Sequence, residues 1–382
     1  MARVMPIYMD YQATTPIDER VLDAMLPYMR QSFGNPHSAE HAYGWEAEAA
    51  VQVARGHVAH LIGAQESEII FTSGATESNN LALKGVVEFY SKDTGKNHII
   101  TCQTEHKCIL DSCRYLSSQG INITYLPVDS DGLIDLSELA SAITPKTLMV
   151  SVMAVNNEIG VVQPIEAIGE ICKKNQIFFH TDAAQAFGKI ALDVATSHID
   201  LLSISGHKIY GPKGIGALYL RKRPSVRIKP QIHGGGQEKG LRAGTLATHQ
   251  VVGLGHAAKI ASAQMKQDTQ LLSKLSKIFI DGVVQLYPKA KLNGHPEYRV
   301  PGNLNICFEG KRADSLILAL KKLAVSSGSA CASASTEPSY VLKSLGLTKS
   351  QIESSIRFSL GRMTTQEDIQ KALQAIKGAL VS

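Results

Sequence analysis

The sequence predicts an α/β protein: a large domain with a mostly parallel, doubly wound sheet, followed by a smaller α+β domain. Short β-branched runs alternate with amphipathic helical stretches through the first two thirds of the chain. A long helical pattern comes next, and strand and helix signals then resume towards the C-terminus. The 382 residues are enough for one large core and a smaller second one.

The alternation of strands and helices is clearest in the first 220 residues. β-branched and apolar clusters predict strands at Glu68–Thr72, His98–Thr101, Ile123–Leu126, Thr147–Met153, Ile177–Thr181, Leu201–Ser205 and Ala217–Leu220. Apolar residues spaced three and four apart predict helices between them, at Ser78–Tyr90 and Ile165–Lys174. Because such sheets bind ligands at the carboxyl ends of their strands, the residues after each strand are the candidates for chemistry.

A helical pattern over His249–Leu286 is predicted to connect the two domains. Beyond it the sequence predicts, in order, a strand at Leu304–Phe308, a helix at Asp314–Leu323, a Gly/Ser/Ala-rich stretch and a final amphipathic helix. We therefore expect a large domain over residues 16–262. Residues 1–15 and 263–382 would form the small domain, which contains a loop at about 326–337.

Composition and charge argue against several classes of function. The net charge of +5 is too small and too scattered for a nucleic-acid-binding protein. No apolar run approaches the roughly 18 residues that a membrane helix needs, and the N-terminus lacks the apolar core of a signal peptide. The six cysteines include no CxxC pair, so we expect free thiols in a soluble, cytoplasmic protein.

Three segments that follow predicted strands carry the groups of a cofactor site. Ser73-Gly74 precedes a helix start, where N-terminal N–H groups can bind a phosphate. Asp182 follows a strand whose end can present its carboxylate to a pyridinium nitrogen, and Lys208 follows another, where its amine can form a Schiff base. Alone, each feature is more typical of a capped helix or a solvated side chain. In this order, the three predict a site for pyridoxal phosphate (PLP).

Longer motifs extend this pattern over essentially the whole chain. The segment SGHKIYGPKGIG at 205–216 resembles the lysine motif of class V aminotransferase-fold enzymes. Further motifs are similar to those of NifS/IscS-like cysteine desulfurases: DYQATTP at 10–16, SGATES at 73–78, TEHK at 104–107, VNNEIG at 155–160 and RAGT at 242–245. SSGSACASAS at 326–335 resembles the branch that supplies iron–sulfur cluster assembly. The resemblance implies the PLP-dependent transferase fold type I, with a mainly parallel seven-stranded sheet in the large domain.

The resemblance also implies roles for individual residues. Lys208 would form the Schiff base with PLP, His106 would stack on its ring and transfer protons, and Cys331 would be the nucleophile. Arg357 and Asn35 would bind the substrate carboxylate. At the phosphate of the cofactor, the binding residues would be Ala75, Thr76, Ser205 and His207, together with Thr245 from the partner subunit of a homodimer. At the ring, they would be Asn157, Asp182 and Gln185.

The surroundings of Cys331 agree with a role as sulfur carrier. Neighbouring Gly, Ser and Ala residues leave its loop little bulk to pack and high backbone freedom. Such a loop suits a thiolate that attacks the sulfur of PLP-bound cysteine, which leaves an enzyme persulfide and releases alanine. We interpret the remaining cysteines as small packed side chains: Cys102, Cys108, Cys113, Cys172 and Cys307.

The expected sulfur acceptors follow from the resemblance as well. They are an iron–sulfur scaffold protein, with which Cys331 would transiently share a [2Fe–2S] cluster, and the machinery of tRNA thiolation. Longer relatives continue beyond the position of Ser382 with a tail that helps dock the scaffold, so we expect weaker docking, docking through another surface, or a sequence that is one piece of a longer chain. Ala184 stands where close relatives often carry Thr, which removes one polar contact near the ring.

Other interpretations use the same residues differently. A selenocysteine lyase would need the same apparatus, whereas an aminotransferase of this fold needs no mobile thiol. HSAEH at residues 37–41 fits the H-x-x-E-H pattern of inverted zinc proteases. Because it follows a Gly-Asn-Pro turn, we interpret it as a polar loop and expect no intrinsic metal.

Overall fold

The computed structural model describes residues 5–327 and 338–381. Its strands are β1 Ile7–Tyr8, β2 Ile69–Thr72, β3 His98–Cys102, β4 Asn122–Leu126, β5 Thr147–Ser151, β6 Phe178–Asp182, β7 Leu201–Ser205, β8 Gly216–Leu220, β9 Ala290–Leu292, β10 Asn303–Phe308, β11 Leu323–Ala324 and β12 Ser355–Ser359. Its helices are α1 Glu19–Arg30, α2 Ala42–Leu61, α3 Ala75–Thr94, α4 Lys107–Ser118, α5 Leu136–Ala142, α6 Ile165–Lys174, α7 Thr248–Leu286, α8 Ala313–Ala319, α9 Tyr340–Ser344, α10 Lys349–Glu353 and α11 Gln366–Val381.

Seven strands form one sheet in the order β2-β8-β7-β6-β5-β3-β4. Strand β8 is antiparallel to both of its neighbours, β2 and β7, and every other pair of neighbouring strands in this sheet is parallel. Successive residues of a strand enter different cores, as Ile69 and Phe71 pack on one face of β2 while Ile70 packs on the other. Helices therefore cover both faces, and the predicted α/β class with a mainly parallel seven-stranded sheet is confirmed.

The small domain packs around a separate core. This core includes Met9, Phe279 and Phe358, and it lies against the antiparallel sheet β9-β10-β12. The first half of α7 contributes Val251 to the core of the large sheet, whereas its second half contributes Phe279 to the small core. This division supports our proposal of a domain boundary near residue 262, inside α7.

One predicted helix is corrected by the structure. The helix expected over Asp314–Leu323 begins at Ala313 and ends at Ala319. Leu323 instead forms the short strand β11, paired in parallel with Ile7, and its side chain is buried in the small core. The pairing of β1 with β11 joins distant parts of the chain. Because the local spacing of apolar residues does not reveal such a pairing, the helix was predicted too long.

A buried ion pair ties α2 to the sheet and to the segment before α7. Arg55 Nη2 lies 2.7 Å from Glu238 Oε1, and both side chains are less than a tenth exposed. Glu238 Oε2 also accepts from the backbone N–H of Phe71 at 2.7 Å. Because Phe71 lies in β2, this pair fixes the strand that leads directly into Ser73-Gly74.

We expect Glu238→Ala to lower the free energy of unfolding by about 3–5 kcal/mol, because it leaves the Arg55 charge buried and unpaired. Urea unfolding of the purified variant measures the loss. Glu309→Ala is the matched control, since it removes an exposed pair with Lys291 and should cost less than about 1 kcal/mol. Equal losses in the two variants would contradict the importance of the buried pair.

Candidate active site

The carboxyl ends of the central strands open into a cavity of about 410 Å³. β6 ends at Asp182, and β7 ends at Ser205, shortly before Lys208. The cavity thus lies at the sheet edge where α/β proteins bind ligands. Most of the predicted site residues line it: Ala75, Thr76, His106, Asn157, Asp182, Gln185, Ser205, His207, Lys208 and Arg357.

Two described residues from the prediction lie elsewhere. Thr245 and Asn35 are exposed and are not among the lining residues of the cavity. Asn35 Oδ1 accepts from the backbone N–H of His37 at 3.0 Å, within its own turn. A single subunit therefore does not bring either side chain to the cavity. Cys331 lies outside the described residues.

The N-terminus of α3 forms one wall of the cavity. Its N-cap is Gly74, whose φ of 152° favours glycine, and no described side chain caps the helix there. A Cβ built on Gly74 would meet nothing within 4 Å, so the turn faces open space. Glu77 is engaged beside it, because it accepts from the Ser73 N–H at 2.7 Å and pairs with Arg242 at 2.8 Å. The first-turn N–H groups are thus presented to the cavity, as an anion site requires.

The N-terminal segment holds further side chains at the cavity. Lys208 Nζ donates to the carbonyl oxygens of Gln12 at 2.6 Å and Ala13 at 2.7 Å. Gln185 Nε2 donates to the same Gln12 carbonyl at 2.9 Å, and its Oε1 accepts from Lys189 Nζ at 2.7 Å. Burial, and then the positive charge of Lys208, lower the pKa of Lys189 to about 7. Two amines and one amide are therefore organised around Gln12.

Asp182 is oriented by two N–H donors. Its Oδ1 accepts from the backbone of Ala184 at 2.9 Å, and its Oδ2 accepts from Asn79 Nδ2 at 2.7 Å. Nearby, burial and then the charge of Asp182 raise the pKa of Glu105. Glu105 Oε1 accepts from the Met153 N–H. The environment favours the neutral form of Glu105 next to Asp182.

Arg357 approaches the cavity from β12 of the small domain. Its Nη1 donates to the carbonyl oxygen of Asn157 at 2.9 Å, and its Nη2 lies 2.8 Å from Asp10 Oδ1. The side-chain oxygen of Asn157 is buried and accepts no hydrogen bond within the described part of the chain. A buried acceptor of this kind marks a place where a ligand donor fits.

His106 is the N-cap of α4, and its Nδ1 accepts from the backbone N–H of Cys108 at 3.2 Å. The same Nδ1 lies 3.0 Å from Cys108 Sγ, and Cys108 lines the cavity. Cys108 also packs against the core that contains Ile109 and Cys113, as interpreted, and its contact with His106 is an addition to that packing. The signal for the added contact was its position, because an N-cap side chain reaches the second residue of its own helix. The other described cysteines are buried free thiols whose pKa is raised by burial: Cys102, Cys113, Cys172 and Cys307.

The described residues on either side of segment 328–337 are attached to the cavity wall. Arg357 N donates to the carbonyl of Ser326 at 2.7 Å. On the other side, Ser339 Oγ donates to Glu158 Oε2 at 2.6 Å, and burial raises the pKa of Glu158. Tyr340 Oη donates to the Glu105 carbonyl at 2.7 Å. The described residues that flank positions 328–337 in the sequence therefore lie beside the cavity.

The H-x-x-E-H motif does not share one helix face. α2 begins at Ala42, after the motif, and His41 serves as its N-cap by accepting from the Gly44 N–H at 3.3 Å. Among the described residues, no cluster of three His, Cys, Asp or Glu side chains could hold a metal ion. Within residues 5–327 and 338–381, none of the helices has the length and apolar composition of a membrane span.

His180 supports the strand that ends in Asp182. Its ring is fully buried and bonds Ser151 Oγ on β5 at 2.8 Å and Ser203 Oγ on β7 at 3.1 Å. Burial lowers the pKa of His180 from 6.5 to about 3. Below pH 6.5 the unfolded chain therefore takes up a proton at His180 that the folded protein does not.

We expect the free energy of unfolding to fall as the pH decreases from 6.5 towards 3, and we expect His180→Gln to reduce this fall. Urea unfolding of both proteins at several pH values in this range measures the slope. His233→Gln replaces an exposed histidine and should keep the wild-type slope. An unchanged slope in His180→Gln would show that other groups cause the acid sensitivity.

Comparisons with known proteins place this geometry in a family. The family model for aminotransferase class-V matches residues 7–372. Cysteine desulfurase IscS of Rickettsia bellii is 58% identical over 373 residues, which are 98% of this chain and 90% of that protein. Cysteine desulfurase IscS of Rickettsia africae is 59% identical over 372 residues, or 97% and 90%.

Solved structures agree with the family model. A NifS-like protein superposes with a TM-score of 0.92 at 38% identity, covering 99% of this chain and 100% of that one. SspA in complex with cysteine has a TM-score of 0.83 at 40% identity, covering 94% and 100%. The chain therefore belongs to the aminotransferase class-V family and, within it, to the cysteine desulfurases of the IscS type.

Proposed function

We propose that this cysteine desulfurase binds PLP in the cavity and transfers the sulfur of L-cysteine to Cys331, releasing L-alanine and leaving a persulfide on Cys331. Class-V aminotransferases are in general PLP-dependent. One observation carries the proposal: a single cavity gathers the amine of Lys208, the carboxylate of Asp182 and the uncapped N-terminus of α3. When bound, PLP supplies an electron sink that weakens bonds near the α-carbon of the substrate.

The groups around the cavity fit the parts of PLP. The N-terminal N–H groups of α3 and the hydroxyl of Thr76 suit a phosphate. His207 also lines the cavity, where burial and then the Lys208 charge lower its pKa to about 4 and keep the ring neutral. Asp182 suits a protonated pyridine nitrogen, and the buried oxygen of Asn157 suits a hydrogen-bond donor.

The chain's own residues orient the substrate and move its protons. Arg357 is held between Asp10 and the Asn157 carbonyl, where its guanidinium can bind the substrate carboxylate. His106 accepts the Cys108 N–H through Nδ1, which favours the Nε2–H form of the neutral ring. The proton that His106 exchanges with the substrate is accordingly the one on Nε2.

Cys331 completes the reaction by attacking the sulfur of the bound cysteine as a thiolate. The S–S bond forms as the C–S bond breaks, and the carbon keeps the electron pair and takes a proton to give alanine. The anchored residues Ser326 and Ser339 support this role. Cys331 follows Ser326 by five residues, which is a chain length of at most about 18 Å.

We expect Cys331→Ser to keep the cofactor absorbance and cysteine binding but to abolish alanine release, because serine provides no thiolate. The measurement is alanine released from L-cysteine in the presence of a reductant. Cys307→Ser is the control, since Cys307 lies in β10 away from the cavity and its substitution should preserve turnover. Lys208→Ala should lose the Schiff-base absorbance.

Each alternative has its own outcome in this assay. Undiminished alanine release from Cys331→Ser would refute the persulfide, and an unchanged spectrum of Lys208→Ala would assign the Schiff base to another amine. A keto acid in place of alanine would identify an aminotransferase. A strong preference for L-selenocysteine over L-cysteine would identify a selenocysteine lyase.

We further propose that the persulfide sulfur passes in the cytoplasm to an iron–sulfur scaffold protein, with a transient [2Fe–2S] cluster on Cys331, and to tRNA thiolation. The similarity of segment 326–335 to the iron–sulfur branch supports the acceptor. All described cysteines carry free thiols, which suits a reducing compartment.

We propose a homodimer in which Thr245 and Asn35 complete the cavity of the partner subunit. Both are exposed, and their neighbours Leu246 and His37 line one surface groove. Large exposed aromatic side chains occur on the adjoining part of the chain: Phe33, Tyr43 and Trp45. Exposed aromatic side chains close together are typical of interfaces between proteins.

We expect two inactive variants to complement each other when their subunits are mixed. A Lys208→Ala subunit keeps Thr245, whereas a Thr245→Glu subunit keeps Lys208 but repels the phosphate from its partner's cavity. In a hybrid dimer, the cavity with Lys208 receives an intact Thr245. An equimolar mixture should therefore regain about one quarter of wild-type alanine release, because half of the dimers are hybrids with one complete cavity.

Native mass spectrometry verifies that hybrids have formed. Each variant mixed with itself is the control and should stay inactive. Hybrids without activity would contradict the contribution of Thr245 from the partner subunit.

A further inference from the structure

A chain of hydrogen bonds inside the cavity wall joins Asp182 to His106. Asn79 Nδ2, on α3, lies 2.7 Å from Asp182 Oδ2 and 3.1 Å from Cys108 Sγ. Cys108 Sγ, on α4, lies 3.0 Å from His106 Nδ1. Asn79 is fully buried between the two helices. These hydrogen bonds link Asp182 and His106, two side chains whose proposed roles concern different parts of the cofactor.

The orientation of the Asn79 amide follows from Asp182. The carboxylate oxygen accepts, so the NH2 group of Asn79 is the group that faces it. The opposite orientation would place the amide oxygen against the carboxylate, which repels it. Asn79 Oδ1 is buried and has no hydrogen-bond partner among the described residues, so no other contact competes for the amide.

The orientation of Asn79 in turn assigns the proton on Cys108. The second N–H of the amide is directed at Cys108 Sγ, which acts as the acceptor there. The thiol proton is then directed at His106 Nδ1, which also accepts the backbone N–H of Cys108. Because two donors are directed at Nδ1, the proton of the neutral imidazole stays on Nε2.

We propose that Cys108 is a positioning residue that holds His106 in the Nε2–H tautomer, and that Asn79 couples this tautomer to Asp182. The inference rests on the proposed proton-transfer role of His106. An imidazole that exchanges protons with a substrate works best with one nitrogen in a defined protonation state. Without the thiol, the backbone N–H of Cys108 still donates to Nδ1, at 3.2 Å, but the preference for the Nε2–H tautomer weakens and the other tautomer becomes populated.

The test reads the His106 ring directly. Magic-angle-spinning ¹⁵N NMR of histidine-labelled holoenzyme distinguishes the tautomers, and the signal lost in His106→Gln identifies His106. We expect one tautomer in the wild type and a mixture in Cys108→Ala. The kcat of Cys108→Ala should fall about 3- to 10-fold with KM little changed, as for loss of a hydrogen bond that acts on turnover.

Two variants sharpen the test. Cys108→Ser keeps a donor at this position and should restore the wild-type tautomer and kcat to within about twofold. Asn79→Ala should shift the tautomer in the same direction as Cys108→Ala, because the thiol loses the amide that orients it. Cys113→Ala is the matched control, since it removes a thiol of the same helix that lies outside the cavity lining.

A single tautomer together with wild-type kcat in Cys108→Ala would overturn the proposal. A mixture in Cys108→Ser equal to that in Cys108→Ala would overturn it as well, since the donor would then be irrelevant. A wild-type His106 tautomer in Asn79→Ala would overturn the coupling to Asp182. Failure of the proposed function would be seen in another measurement, because the wild type would then release no alanine, whatever the His106 spectrum shows.

Discussion

The parallel pairing of β6 with β7 is the constraint on which the site depends. Asp182 pairs in register with Ser203, so the carboxylate and the turn that carries Lys208 leave the sheet at the same edge. His180 reinforces this register by bonding serines on both neighbouring strands. A slip of one residue would turn Asp182 to the opposite face of the sheet, because side chains alternate along a strand.

The remaining walls of the cavity come from parts of the chain that are far apart in sequence. The N-terminal segment brings Gln12 to Lys208, and β12 brings Arg357 to the Asn157 carbonyl. Asp10 then pairs with Arg357, so the first and last parts of the chain meet at the site. The small domain therefore completes a cavity that the large sheet begins, and α7 contributes to the cores of both.

The sequence predicted what depends on local pattern. β-branched runs located the strands of the large sheet, and the residues after them located Asp182 and Lys208 at one edge. Contacts between distant segments left no such signal. Leu323 pairs with Ile7 across most of the chain, so the helix before it was predicted too long. Asn79 and Cys108 meet only because α3 packs on α4, and no spacing within either motif shows that contact.

The charges of the cavity fit a ligand that combines a phosphate, a carboxylate and one cationic nitrogen. Lys208, Lys213 and Arg357 line it and favour anions. Burial raises the pKa of Glu105 and Glu158, which reduces the negative charge that would oppose such groups. Asp182 differs from both because two N–H groups donate to its carboxylate. The Asp182 carboxylate therefore lies where a pyridinium nitrogen would need it, whereas Glu77, which also lines the cavity, is paired with Arg242. The anionic groups of such a ligand would suit the lysines, Arg357 and the N-terminus of α3.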